Sequence, residues 1–234
     1  MASIAERVAA VRRNMEEAAR QAGRDPREIL LCAATKMNDA QAVRQAIAAG
    51  VDCCGENRVQ ELTAKAGENA YEGRPVHFIG HLQTNKVRQV VGRVDLIQSA
   101  DRRVLLEALE KEAARQGVRQ DLLLEVNIGM EESKSGFSPE ALLEEIACFG
   151  AYPHLRALGL MSIPPVSQHP GDNCRFFQKM RKLFVDISRE KYDNVNMVHL
   201  SMGMSDDFRD AIACGSTMIR VGTAIFGPRN YHPV

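Results

Sequence analysis

The stretch "LLCAATKMN" (30–38) sets a lysine, Lys36, two residues beyond an apolar run that ends at Ala34. Lysine is costly to bury, so a lysine at this place has a restricted set of uses. Its ammonium can be a point charge on a phosphate. Its amine can form a Schiff base with an aldehyde or ketone. A salt bridge at the rim fits the position as well as either. Two further segments bear on the choice. In "HLSMGMSDDF" (199–208), Ser201, Gly203 and Ser205 precede a helical pattern whose first turn holds Asp206 and Asp207. In "RVGTAIFG" (220–227), Gly222 and Thr223 open a helical turn just after Arg220. Backbone N–H groups at helix starts suit a phosphate, and glycine lets it come close. Each loop alone reads as a turn with a capping serine; the two together favour a phosphate site.

Other polar residues follow other apolar runs. "GENRVQE" (55–61) brings Glu56 and Asn57, and "HFIGHLQTNK" (77–86) brings His81, Gln83, Asn85 and Lys86. Asn127 is followed by Lys134 in "SKSG", and a later run ends in Met161 and Ser162. His77 and His81 are four apart, a zinc-ligand spacing on a helix. They straddle the end of an apolar run instead, so no metal site is expected from them. His154, His169, His199 and His232 are scattered and read as structural or solvated.

The elements that carry these residues alternate. The apolar runs are Ile29–Ala34, Val51–Cys54, Val76–Ile79, Val94–Ile97, Leu122–Val126, Leu155–Leu160, Met197–Leu200 and Thr217–Val221. Between them the period shifts to helical spacing. One amphipathic helix begins near Asp101 and carries Val104, Leu105, Ala108 and Leu109 before Gly117; another carries Phe176, Phe177, Met180, Leu183, Phe184 and Ile187. A further helix precedes the first run, opened by a capping box of Ser3 and Glu6 and stopped at Gly23. The longest loop is "PPVSQHPGDN" (164–173), and the alternation continues beyond it. Short continuous strands alternating with helices predict an α/β fold with a parallel sheet covered on both faces. Eight units with no glycine fingerprint after the first strand predict a single (β/α)8 barrel over 1–234. Barrel sites lie at the C-terminal strand ends, with phosphate most often held after strands 7 and 8.

Composition narrows the function. The 234 residues carry 30 basic and 30 acidic side chains and are 45% hydrophobic. Such a balance gives no reason to expect nucleic acid or an anionic membrane as a partner. No apolar stretch reaches the roughly 18 residues of a membrane span, and the N-terminus lacks the uncharged core of a secretory signal. The six cysteines show no C-x-x-C spacing. They read as reduced, buried thiols of a cytoplasmic protein, with Cys53 and Cys54 on opposite faces of one strand.

"HFIGHLQTNK", "GENRVQE", "HLSMGMSDDF" and "RVGTAIFG" resemble the YggS/PROSC family of pyridoxal 5′-phosphate (PLP) homeostasis proteins, over about Ile29 to Arg229. The resemblance implies a TIM barrel like the N-terminal domain of alanine racemase, with PLP as cofactor. It implies that Lys36 carries PLP as an aldimine. Ser201, Gly203, Gly222 and Thr223 would hold the phosphate, with help from the backbone of Met202. Arg220 would face the pyridine nitrogen, Asn57 and Met161 would lie around the ring or its phenolic oxygen, and His81 nearby. Lys134 matches a second lysine of lesser weight. Met37 and Asn38 depart from the family's usual threonine and basic residue, and Val76 from its usual aromatic.

The implied role is a carrier that buffers PLP and delivers it to apo-enzymes for vitamin B6 homeostasis; lacking the racemase-type second domain and its dimer contact, it is expected to be a monomer. The alternative is a PLP-dependent racemase-like enzyme, and a PLP-free Schiff-base aldolase is a second rival. An arginine cannot give up its proton, so a ring nitrogen facing it stays unprotonated and is a weak electron sink. Racemases of this fold also need a second base, a tyrosine from another domain. No second domain is expected here, and Tyr71, Tyr152, Tyr192 and Tyr231 do not sit at expected strand ends.

Overall fold

A computed structural model describes residues 2–166 and 169–228. Tyr231, His232 and Arg229, and Ser167 and Gln168 of the longest loop, lie outside the described residues. Helix α1 (Ile4–Gln21) opens with the expected capping box: Glu6 N–H donates to Ser3 Oγ at 3.2 Å, and Ser3 N–H donates to Glu6 Oε2 at 2.7 Å. Its buried face of Val8, Val11 and Met15 lies against the barrel's outer helices.

Eight parallel strands follow: β1 (Leu30–Ala34), β2 (Cys53–Glu56), β3 (Val76–Phe78), β4 (Leu96–Ala100), β5 (Gln120–Glu125), β6 (Leu155–Met161), β7 (Val195–Ser201) and β8 (Met218–Val221). They pair in sequence order, and β8 pairs back onto β1 to close a barrel, with Cys32 opposite Arg220. Closure satisfies every strand edge. The connecting helices are α2 (Ala40–Ala48), α3 (Val59–Gly67), α4 (Arg103–Gln116), α5 (Pro139–Ala147), α6 (Cys174–Ser188), α7 (Phe208–Ala213) and α8 (Thr223–Phe226). Between β3 and β4 the connection is a tighter 3-10 turn over Thr84–Gln89. Among the described residues no helix is long and apolar enough to cross a membrane.

Strand alternation divides the apolar residues into two clusters. Leu31, Ala33, Cys54, Phe78, Ile97, Leu122 and Leu160 face outward under the helices. Cys32, Ala34, Cys53, Ile79, Leu96, Leu123, Met161 and Met218 fill the barrel interior. Cys53 and Cys54 thus take opposite faces. Gly55 is needed on β2 because a Cβ there would come within 2.9 Å of Cys32 Sγ and 2.8 Å of Ile79 Cδ1.

Two expectations shift. Val104 is 62% exposed, and α4 buries Leu105, Leu106, Leu109 and Ala113 instead. At about 100° per residue, Leu105, Leu106, Leu109 and Ala113 share one arc of the helix and Val104 falls on the opposite side. Cys32, Cys53 and Cys54 are buried, but Cys148 is exposed and Cys174 and Cys214 are half-buried; all six are free thiols.

Candidate functional site

The backbone on either side of Lys36 is clamped. Thr35 is buried; its Oγ1 donates to Glu56 Oε1 at 2.5 Å, and its carbonyl accepts from Lys65 Nζ at 2.7 Å. Lys65 Nζ also meets Glu56 Oε1 at 2.7 Å, and Tyr71 Oη donates to the same oxygen at 3.2 Å. On the other side, Met37 N–H donates to Glu61 Oε2 at 2.6 Å. Met37 has φ +60°, a conformation that L-residues rarely adopt. The carboxylate therefore holds the turn that leads Lys36 out of β1 and up to the barrel mouth. Burial and Glu56 push the Tyr71 phenol well above its ordinary range, so it stays a donor to Glu56. It lies on the outer face of the barrel, away from Lys36.

Lys36 opens onto a cavity of 420 Å³ at the C-terminal end of the barrel. Ala34, Ser205, Arg220, Gly222 and Thr223 share its wall with Met37, Asn38, Met204, Asp206 and Phe226. The two glycine loops therefore do converge, and they do so opposite Lys36. Gly203 has φ +94°, and a Cβ there would lie 2.6 Å from Ala211 Cβ, so the loop lies pressed against α7 as only glycine permits. Met204 N–H donates to Asp207 Oδ1 at 2.7 Å and Ala224 N–H to Ser205 Oγ at 3.3 Å, which joins the β7 loop to α8. The Met202 N–H donates to Met218 O at 3.1 Å, so this amide is engaged in the barrel wall.

Beneath the cavity runs a buried polar chain. Arg220 Nη1 donates to Ser201 Oγ at 2.6 Å and Nη2 to Ser162 O at 2.9 Å. Ser201 Oγ donates to Gln98 Oε1 at 2.7 Å, and Gln98 Nε2 lies 2.8 Å from His77 Nδ1. Ser201 is thus fully buried against Arg220, and the serine hydroxyl on the cavity wall is that of Ser205. Burial draws the Arg220 guanidinium down from its ordinary range, while Cys32, Glu125 and Asp207 draw it back up. Glu125, buried at the end of β5, is pushed up to about 7 by burial and then by the charge of Asp101, with Arg220 opposing.

The remaining expected residues ring this centre. Met161 ends β6 inside the barrel, fully buried. Asn57 follows β2, its backbone packed so closely that a Cβ at Gly80 would lie 2.3 Å from Asn57 O. His81 is exposed at the mouth, with Nδ1 3.1 Å from Asp101 Oδ2 and 3.2 Å from Ser135 Oγ. Lys134 is held in its loop by Glu131 at 2.6 Å and by Pro164 O at 2.8 Å. Tyr152 is bound to Glu145 at 2.7 Å on the outside of the barrel.

Sequence reasoning passed over Gln98, Glu61 and Lys65. Gln98 had a legible signal, a glutamine inside the apolar run of β4. Glu61 and Lys65 lie on α3 and meet Lys36's neighbours only through packing.

The chemistry of this donor set fits PLP. A lysine amine, glycine loops at two helix starts and a buried guanidinium share one cavity. Among the described residues, Asn57 Oδ1 and Ser162 Oγ are buried with no hydrogen-bond partner, and the Ser162 carbonyl is held by Arg220 of the cavity wall. Ligand polar groups would satisfy such atoms.

Residues 7–230 match the family model "Alanine racemase, N-terminal domain". A pyridoxal phosphate homeostasis protein of Aquifex aeolicus is 41% identical, across 97% of this chain and 98% of that one. The structure of PipY from Synechococcus elongatus with PLP bound superposes with a TM-score of 0.82 at 33% identity, over 96% of this chain and all of that one. Alanine racemase from Corynebacterium glutamicum shares the fold, with a TM-score of 0.68 at 14% identity, and this chain spans 63% of it. By sequence and by fold, the chain belongs to the pyridoxal phosphate homeostasis protein family, built on the alanine racemase N-terminal barrel.

Proposed function

We propose that this chain is a PLP carrier of vitamin B6 homeostasis, a single barrel domain that holds the cofactor covalently through Lys36 and releases it to apo-enzymes. The observation that carries the reading is the convergence of Lys36, Ser205, Gly222, Thr223 and Arg220 on one 420 Å³ cavity. Bound PLP supplies an aldehyde for a lysine amine and an electron sink for amino-acid chemistry. Gly222 and Thr223, at the start of α8, and Ser205 would take its phosphate. Gly203 lets the β7 loop lie close enough to α7 for Ser205 to face them. Arg220 would donate to the ring nitrogen, its orientation set by Ser201 and Ser162, and Asn57 and Met161 would border the ring. Thr35 and Met37, clamped by Lys65 and Glu61, hold the Lys36 amine at the cavity.

A carrier is favoured over a racemase by the tyrosines among the described residues. Tyr71 and Tyr152 are bound to carboxylates outside the barrel and Tyr192 packs on the outer core, so none of the three offers a base across the cavity from Lys36. Free thiols throughout fit the cytoplasm.

The test is an absorbance spectrum of the purified protein with PLP, before and after borohydride, followed by peptide mapping. A visible band lost on reduction, with a pyridoxyl adduct on Lys36 that Lys36→Ala abolishes, is expected. A protein that stays unmodified in excess PLP refutes the reading. Exchange of an amino acid's α-proton with solvent would instead make it an enzyme.

A further inference from the structure

The PLP reading leaves one cluster inside the barrel unused. Cys32, Cys53 and His77 come from β1, β2 and β3 and all point inward, below the layer of Ala34 and Arg220 that lines the Lys36 cavity. The two Sγ atoms and a ring nitrogen of His77 lie within 4.8 Å of one another, and Cys53 Sγ is 3.5 Å from His77 Nδ1. All three residues are buried. Two atoms bound to one metal at ordinary Cu–S or Zn–S and metal–N lengths stand about 3.5 Å apart, so the cluster needs little movement to close on an ion.

We propose that Cys32, Cys53 and His77 bind a soft monovalent ion of the Cu(I) type. Two thiolates and an imidazole are soft donors that select Cu(I) or Zn(II) over harder ions. Two features separate those candidates. Structural zinc sites take four protein ligands, whereas the group here has three members among the described residues. Three ligands in a dry site are sufficient for Cu(I). Charge decides in the same direction. Cys32 pairs with Arg220 across the β1–β8 ladder, and the buried Arg220 guanidinium also points inward. Two thiolates with a monovalent ion carry one negative charge, which the neighbouring guanidinium neutralises. Two thiolates with a divalent ion are neutral and remove one of the charges, beside those of Glu125 and Asp207, that offset that buried guanidinium.

The binding step involves no redox change. Both S–H protons pass to solvent as two Cu–S bonds and one Cu–N bond form. Gln98 Nε2 is freed from His77 Nδ1 and keeps a partner, because it already lies 3.1 Å from Met218 Sδ. Cys53 is the first residue of β2, and Leu30 and Leu158, which pack against the inner cluster, are half-buried.

The experiment is an anaerobic titration of the reduced, full-length protein with Cu(I) against a competing chelator such as bicinchoninate, followed by X-ray absorption at the copper edge. About one equivalent should bind, with two sulfurs and one nitrogen around copper. Cys32→Ser, Cys53→Ser and His77→Ala should each weaken binding at least about ten-fold. Replacing the exposed Cys148 with serine should leave it unchanged. The absorption spectrum of the unaltered protein decides the matter even if a variant fails to fold. Failure to take copper from the chelator overturns the proposal, as does copper that stays bound in Cys32→Ser but is lost in a Cys174→Ser/Cys214→Ser variant. Tighter retention of Zn(II) than Cu(I), each against its own chelator, overturns the choice of ion. None of these outcomes touches the borohydride test of Lys36, so the two readings fail separately.

Discussion

Replacing Lys65 with methionine tests the clamp behind Lys36. Lys65 and Glu56 form a buried pair, with side chains 7% and 0% exposed. Methionine keeps the aliphatic stem but removes the ammonium. Glu56 then keeps only Thr35 Oγ1 and Tyr71 Oη, and the Thr35 carbonyl loses its 2.7 Å donor. Breaking one side of a buried ion pair costs about 3–5 kcal/mol, and the orphaned carbonyl adds about 1 kcal/mol. The single variant should therefore lose roughly 4–6 kcal/mol, a large part of a typical domain's stability. A Lys65→Met/Glu56→Gln variant removes the unpaired charge while the amide still accepts from Thr35 and Tyr71. It should recover most of the loss. Urea unfolding followed by circular dichroism at neutral pH, with the slope checked for constancy, measures both. A single-variant loss below about 1 kcal/mol, or a double variant whose loss equals the sum of the singles, refutes the idea that this pair sets the β1 exit.

Two other consequences can be measured. Glu125 holds its proton up to about 7 in the folded protein against 4.5 as its ordinary value. Its contribution to stability is complete below 4.5 and is lost as pH rises through about 7, by roughly 3 kcal/mol; Glu125→Gln should flatten the stability profile between about pH 5 and 8, and an unchanged profile would contradict the assignment. Met37 is exposed and has φ +60°, so Met37→Gly should lose no stability, whereas Met37→Val, with a branched Cβ, should be less stable than Met37→Gly by about 1–2 kcal/mol; equal stabilities for the two would show that the turn is not held as described.

Much of the site was legible because barrels carry chemistry at strand ends, and strand ends can be read from where apolar runs stop. Lys36, Arg220, Gly222 and Thr223, read from strand ends, line one cavity. Val104 lies outside the buried face because apolar residues at 104, 105, 108 and 109 fit two overlapping stripes, and only packing selects the one through Leu105, Leu106, Leu109 and Ala113. Ser201 and Ser205 have the same residue type at the same loop. Strand alternation turns Ser201 inward to Gln98 and Arg220, and only the fold shows that Ser205 stands on the cavity wall.

The sequence by itself determined the alternation of strands and helices, the eight-fold count, the family and the lysine at its centre. Each of these is local, written in periodicity, caps and contiguous motifs. Tertiary structure alone decided which residues meet. Closure of β8 onto β1 sets Arg220 beside Cys32, though they are far apart in the chain. The inward faces of β1, β2 and β3 gather two thiols and an imidazole, and α3 swings Glu61 and Lys65 behind Lys36. These contacts depend on barrel closure and strand register, which no short window of sequence encodes.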